Sequence, residues 1–135
     1  MIVVDTNMVA YLLLGGEKTP EARLAFSTEP IWAAPILWRS EFRNVLAVFL
    51  RRRKLSLPDA LEVMQEAETL FRGAEYNVDS GQVLKLASGS SCSAYDCEFV
   101  VLAQQLGVPL LTSDAQILKA FPQTAMSVET FARRR

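Results

Sequence analysis

The sequence predicts an α/β domain, a parallel sheet with helices on both faces, and three observations carry that expectation. Short apolar runs alternate with stretches of helical pattern, as in successive βαβ units. The runs are continuously apolar, which suits strands covered on both sides. The chain has 135 residues, 50% of them hydrophobic, enough for one core and too few for two, so residues 1–135 are read as a single domain.

Ile2-Val3-Val4 is β-branched and breaks into Asp5-Thr6-Asn7, a short buried strand followed at once by helix-capping residues. The apolar stretch Met8 to Leu14 stops at Gly15-Gly16, and Thr19 with Pro20 signals a new helix start. Ile31 to Ala34, between Pro30 and Pro35, reads as a second strand, and Ile36 to Arg53 as a long helix. Ser56-Leu57-Pro58-Asp59 caps another helix that runs to about Arg72. Tyr76-Asn77-Val78 is a third strand, and Asp79-Ser80 opens a short helix that dissolves in a serine-glycine loop from Ser88 to Ser93. A helix over Ala94 to Leu106 ends at Gly107, a strand follows at Val108 to Thr112, and Ser113-Asp114 turns into a short helix. Ala125 to Val128 is the last strand.

Composition narrows the chemistry. Fourteen Lys plus Arg against fifteen Asp plus Glu give a net charge of -1, which excludes nucleic-acid binding through bulk positive charge. Histidine is absent, so Ser-His-Asp and Cys-His triads and His-ligated zinc are excluded within this chain. Cys92 and Cys97 form neither a CxxC pair nor a disulfide framework and are read as free thiols of a reducing compartment. With no basic leader before Asp5 and no apolar run of membrane-spanning length, a cytoplasmic protein is expected.

Carboxylates remain. Asp5 and Asp114 each follow a predicted strand, so both emerge at the carboxyl edge of a parallel sheet, where open α/β sheets bind ligands. Each also has a purely structural reading as a helix N-cap. On the helix from Ala94, Asp96 falls between Val100 and Ala103 on the apolar stripe and points inward, unless it serves as that helix's N-cap. Glu98 lies opposite, on a face expected to be solvated. Glu41 borders the stripe Trp38, Phe42, Val45, Phe49 of the long helix. Four acids converging on one crevice raise one another's pKa and call for a hard divalent ion, Mg²⁺ or Mn²⁺ rather than zinc. Such a site suits metal-assisted phosphodiester hydrolysis.

Val3-Val4-Asp5-Thr6-Asn7, Glu41, the run Tyr95-Asp96-Cys97-Glu98 through Ala103, and Pro109-Leu110-Leu111-Thr112-Ser113-Asp114 resemble, in order and over almost the whole chain, the PIN domain ribonucleases, in particular the VapC-type toxins of toxin-antitoxin pairs. The resemblance implies a three-layer α/β/α domain, a divalent-metal endoribonuclease acting on RNA, a homodimer, and a cognate VapB-like antitoxin whose tail covers the active site. By position, Asp5, Asp96 and Asp114 match metal-binding acids, and Glu41 the glutamate that helps hold the metal and its water. Thr6, Asn7 and Thr112 match small polar residues that orient those carboxylates. Gln116 stands where many relatives carry a further acid, which leaves a second metal in doubt.

Arg51-Arg52-Arg53-Lys54 and Arg133-Arg134-Arg135 either complement helix ends or form a basic rim around the acids for RNA or antitoxin. Trp32 and Trp38 are read as core or interface residues rather than stacking platforms. Rival readings are a haloacid-dehalogenase-like phosphotransferase, which needs an aspartate where Asn7 stands, and a non-catalytic α/β binding module, either a degenerate PIN scaffold or a receiver-like domain.

Overall fold

The computed structural model describes residues 1–134; the arginine cluster's last member, Arg135, lies outside them. The chain runs β1 (Ile2–Val4), α1 (Thr6–Leu14), α2 (Thr19–Thr28), β2 (Trp32–Pro35), α3 (Trp38–Arg51), α4 (Leu57–Leu70), β3 (Glu75–Tyr76). It continues with α5 (Ser80–Ser88), α6 (Ala94–Leu106), β4 (Leu110–Leu111), α7 (Ala115–Ala120), β5 (Ala125–Met126) and α8 (Val128–Arg133).

All strand pairings are parallel, in the order β3-β2-β1-β4-β5. β1 is central and fully buried, which is why it reads Ile-Val-Val with no polar face. The chain crosses the sheet from β1 through β2 to β3, then returns past β1 to β4. Right-handed crossovers place the helices of the two journeys on opposite faces. Accordingly α6 packs on β1, β2 and β4 with α5 beside it, while α1 packs against α2, α3 and α4. The direction of travel reverses between β1 and β4, so the crevice at their carboxyl ends is the topological switch point of the sheet.

The core runs through the strands and α6, whose Cys97 and Phe99 to Ala103 are all buried. Trp32 and Trp38 are both fully buried; Trp38 stacks at 4.5 Å from Phe71 and donates its indole N–H to Glu75 at 2.7 Å. Among the described residues no helix is long and apolar enough to cross a membrane.

Several expectations are corrected at element ends. Lys18 is the N-cap of α2, because the Thr19 hydroxyl donates instead to the Tyr11 carbonyl at 2.6 Å. β2 includes Pro35 and leaves out Ile31: Ala34 donates to the Ala74 carbonyl just before β3 and Ile36 to that of Tyr76, so the bonds to the β3 side continue on both sides of the proline. α3 buries Trp38, Phe42 and Leu46, leaving Val45 and Phe49 half-buried, and closes at Arg53, whose φ is 55°. β3, β4 and β5 are each two residues long, and Val128 belongs to α8, which Ser127 caps by accepting from the Thr130 N–H at 3.1 Å.

Candidate active site

At the switch point lies a cavity of about 260 Å³ whose lining includes Asp5, Glu41, Asp96 and Asp114, together with Thr6, Asn7 and Asn44. Four elements bring the acids there. Asp5 follows β1, Asp114 follows β4, Glu41 sits in the first turn of α3, and Asp96 in the first turn of α6.

Asp5 is 8% exposed and both of its oxygens are engaged. Oδ1 caps α1 by accepting from the Met8 N–H at 3.1 Å. Oδ2 accepts from the Thr112 hydroxyl at 2.5 Å. That hydroxyl in turn accepts from the Asp114 N–H at 3.0 Å, so fully buried Thr112 ties the end of β1 to the turn after β4. Burial raises the Asp5 carboxyl from 3.8 to about 6; the Thr112 and Met8 donors oppose the rise, and the charges of Asp114 and Glu41 add to it.

Glu41 is half-buried, and its Oε1 accepts from the Thr6 hydroxyl at 2.7 Å. Burial pushes its carboxyl upward, the Thr6 bond resists, and the charge of Asp96 adds to the rise. Asp114 caps α7, its Oδ1 accepting from the Ile117 N–H at 3.0 Å. The capping and cavity-lining readings of Asp5 and Asp114 therefore hold together, since one oxygen does each capping job. For Asp96 the capping reading fails: Ser93 is the N-cap of α6 and accepts from the Asp96 N–H at 3.1 Å, leaving the Asp96 side chain to the cavity.

Other expected residues are placed differently. Asn7 borders the cavity but is exposed and makes no hydrogen bond to a carboxylate among the described residues, unlike Thr6 and Thr112. Arg51, Arg52, Arg53 and Lys54 are exposed at the far end of α3, roughly 15 Å along the helix axis from Glu41, so they form no rim around the acids. Arg134 instead lines a separate cavity of about 760 Å³ beside edge strand β5, where no acid takes part. Gln116 is exposed and donates to the Ser91 hydroxyl at 3.4 Å. Glu98 is half-buried rather than solvated, and burial together with the charge of Glu41 raises its carboxyl. Asn44 was not singled out from sequence, although its place three residues after Glu41 on one helix face marks it.

The four carboxylates face one space without closing into a compact ligand set; among the described residues no three acids or thiols are drawn that tightly together. The donors nevertheless fit a hard divalent ion. They are all oxygens, and buried Asp5 carries a charged form that its surroundings disfavour, a cost that a cation offsets.

The family model of the PIN domain matches residues 2–122. The chain is 30% identical over 125 residues to Ribonuclease VapC3 of Pyrobaculum aerophilum, an alignment covering 90% of this chain and 95% of that protein. Its fold is similar to the crystal structure of PAE2754 from Pyrobaculum aerophilum, with a TM-score of 0.78 at 20% identity over 98% of this chain and 94% of that one. A toxin-antitoxin complex from Klebsiella pneumoniae contains a chain of the same fold, with a TM-score of 0.68 at 15% identity over 95% of this chain and 98% of that one. The parallel sheet, the acids at its switch point and these matches lead to one conclusion: the chain belongs to the PIN domain family.

Proposed function

We propose that this protein is a divalent-metal-dependent endoribonuclease, the toxin of a toxin-antitoxin pair, with Asp5, Glu41, Asp96 and Asp114 as its catalytic residues. The observation that carries the reading is the convergence of these four carboxylates, from four separate elements, on one cavity at the switch point. The similarity to a protein named as a ribonuclease supports RNA as the substrate.

Asp5, Asp96 and Asp114 would hold Mg²⁺ or Mn²⁺, which when bound supplies a Lewis acid toward a phosphate oxygen and acidifies water. The chain's own residues do the rest. Thr112 fixes the Asp5 carboxylate by its hydrogen bond and, through the Asp114 N–H, keeps the ends of β1 and β4 in register. Thr6 occupies Oε1 of Glu41 and leaves Oε2 available to accept a proton from the attacking water, a task that the upward-pushed carboxyl favours.

A VapB-like antitoxin is the proposed partner, supported by the fold shared with a toxin-antitoxin complex, and its basic groups would meet the acidic cavity. The proposed homodimer would cover the exposed apolar Leu57 and Leu61, which lie one turn apart on α4 and are each 58% exposed. Cytoplasmic location follows from the same reading.

The test is cleavage of total RNA by the purified chain with Mn²⁺, with EDTA, and with Asp96→Asn in place of the wild type. Cleavage that needs both the ion and Asp96 is expected. Cleavage that continues in EDTA, or in the variant, contradicts the assignment, and a folded wild type that cuts no RNA favours the non-catalytic scaffold.

A further inference from the structure

A second opening lies on the same crest of the sheet. Beyond the ends of β2 and β3, a cavity of about 410 Å³ is walled by Ile36, Tyr76, Val83 and Leu84, with Asn77 and Glu98 as polar lining. It continues into a groove of about 390 Å³ where Ile36 and Glu98 recur beside Ser40 and Arg43. Ser40 and Arg43 alternate along α3 with Glu41 and Asn44 of the acid cavity, so the three spaces follow one another around the first turns of that helix.

The lining is unusual for a surface with no partner. Ile36 and Leu84 are 46% and 65% exposed, large apolar side chains held in water beside a carboxylate. Glu98 is half-buried and makes no hydrogen bond or ion pair among the described residues. Arg39, which borders the groove, is held by Glu75 and Glu68, each at 2.6 Å; exposed Arg43, one turn on, pairs with no acid among the described residues. An apolar wall with the Tyr76 ring in it, a carboxylate with two unengaged oxygens and a free guanidinium, all beside the acid cavity, suit a single-stranded nucleotide.

We propose that this cavity seats the base of a nucleotide adjacent to the cleaved bond and that Glu98 selects guanine there, an inference that rests on the ribonuclease reading. Guanine is the one RNA base whose Watson–Crick edge sets two donors side by side, N1–H and N2–H, matching the two oxygens of a carboxylate. Adenine, cytosine and uracil each set an acceptor against one of those oxygens. Arg43 stands over the groove between the two cavities, in reach of the phosphate that joins the two nucleotides.

The experiment is cleavage of a randomised single-stranded RNA by the full chain with Mn²⁺, the cut ends being sequenced for wild type, Glu98→Gln and Leu84→Ala. The wild type is expected to enrich guanine at one fixed position relative to the cut, on the order of ten- to hundredfold over other bases. Glu98→Gln abolishes that enrichment while cutting continues, and replacing guanine by inosine, which lacks the N2 donor, slows the wild type. Leu84→Ala serves as the second variant because its side chain is 65% exposed and outside the core; it weakens the enrichment. Cuts with no base enriched, or an enrichment untouched by both substitutions, overturn the subsite and leave the ribonuclease standing. A wild type that cuts no RNA with Mn²⁺ overturns the ribonuclease reading and the subsite with it.

Discussion

Asp5 carries the most consequential single-residue chemistry in the chain. Its carboxyl is raised from 3.8 to about 6 by burial, so between those pH values the folded chain binds more protons than the unfolded one. Stability contributed by this group therefore falls as pH rises from about 4 to about 6 and stays lost above that. Two pKa units correspond to up to ~3 kcal/mol. In chelator at pH 8, Asp5→Asn is expected to melt higher than the wild type, with the gap closing toward pH 4; a lower melting temperature at pH 8 would show that the second oxygen, which accepts from Thr112, stabilises more than the buried charge costs. Thr112→Val removes the donor to Asp5 and the acceptor for the Asp114 N–H in one isosteric change. It is expected to cost about 1–2 kcal/mol in urea unfolding at pH 8 and to move the Asp5 titration upward, while Thr112→Ser keeps both. All four acids were legible in the sequence as candidates, Asp5 and Asp114 because they follow strands at the carboxyl edge of a parallel sheet, Asp96 and Glu41 because they lie on or beside an apolar helix stripe. What the residue pattern did not reveal is that capping and cavity-lining coexist in Asp5 and Asp114, since that depends on which oxygen each N–H takes. The expectation that Glu98 is fully solvated fails for a related reason: α6 is buried around most of its circumference, so the face opposite Asp96 is half-buried and borders the cavity beyond the ends of β2 and β3.

At the scale of the element, α6 shows how a helix places a functional group. Ser93 caps it, and Gly107 ends it in the left-handed region at φ 67°, its N–H returning to the Ala103 and Gln104 carbonyls. The serine-glycine loop before Ala94 and the stop at Gly107 give this helix its observed bounds in the sequence, although the sequence offers Asp96 as the cap and not Ser93. Ser93→Ala and Gly107→Ala should each lower stability by about 1 kcal/mol. They differ in function. Ser93 fixes the turn that carries Asp96, so its loss should also weaken Mn²⁺ binding, whereas Gly107 lies at the far end and its substitution should not. Urea unfolding and calorimetric titration of both variants check the contrast, and equal effects on binding would detach Asp96 from the site. The strands were harder to bound. In a parallel sheet a strand lasts only as long as its neighbours do, and β4 pairs with β5 through just Leu110 and Leu111. Sequence carries apolar runs but not register, so the expected Val108 to Thr112 strand is longer than the observed Leu110–Leu111.

The whole molecule brings together residues spread from position 5 to position 114, and the topology does this rather than any local motif. Because the direction of travel reverses between β1 and β4, the first and the penultimate βα turns become neighbours, and α3 and α6 begin over the same crest. This convergence followed from the alternation of strands and helices, whereas the position of the basic clusters did not. A run of arginines ending a 14-residue helix is carried to the far end of that helix from its first-turn glutamate. Replacing Arg51, Arg52, Arg53 and Lys54 by glutamine is accordingly expected to leave Mn²⁺ affinity within about twofold, as judged by titration at low salt, where long-range electrostatics are strongest. A much larger change would bring that cluster close to the acids after all.

The proposed function stands on four carboxylates from four elements making one divalent-ion site. Calorimetric titration of Mn²⁺ into the wild type, Asp5→Asn and Asp96→Asn at pH 7.5, with circular dichroism to verify folding, tests it most directly. The expected result is binding by the wild type that is lost, or weakened at least tenfold, in both variants while they remain folded. Undiminished binding in either folded variant would contradict the claim, because the ion would then be held somewhere other than the crevice between β1 and β4.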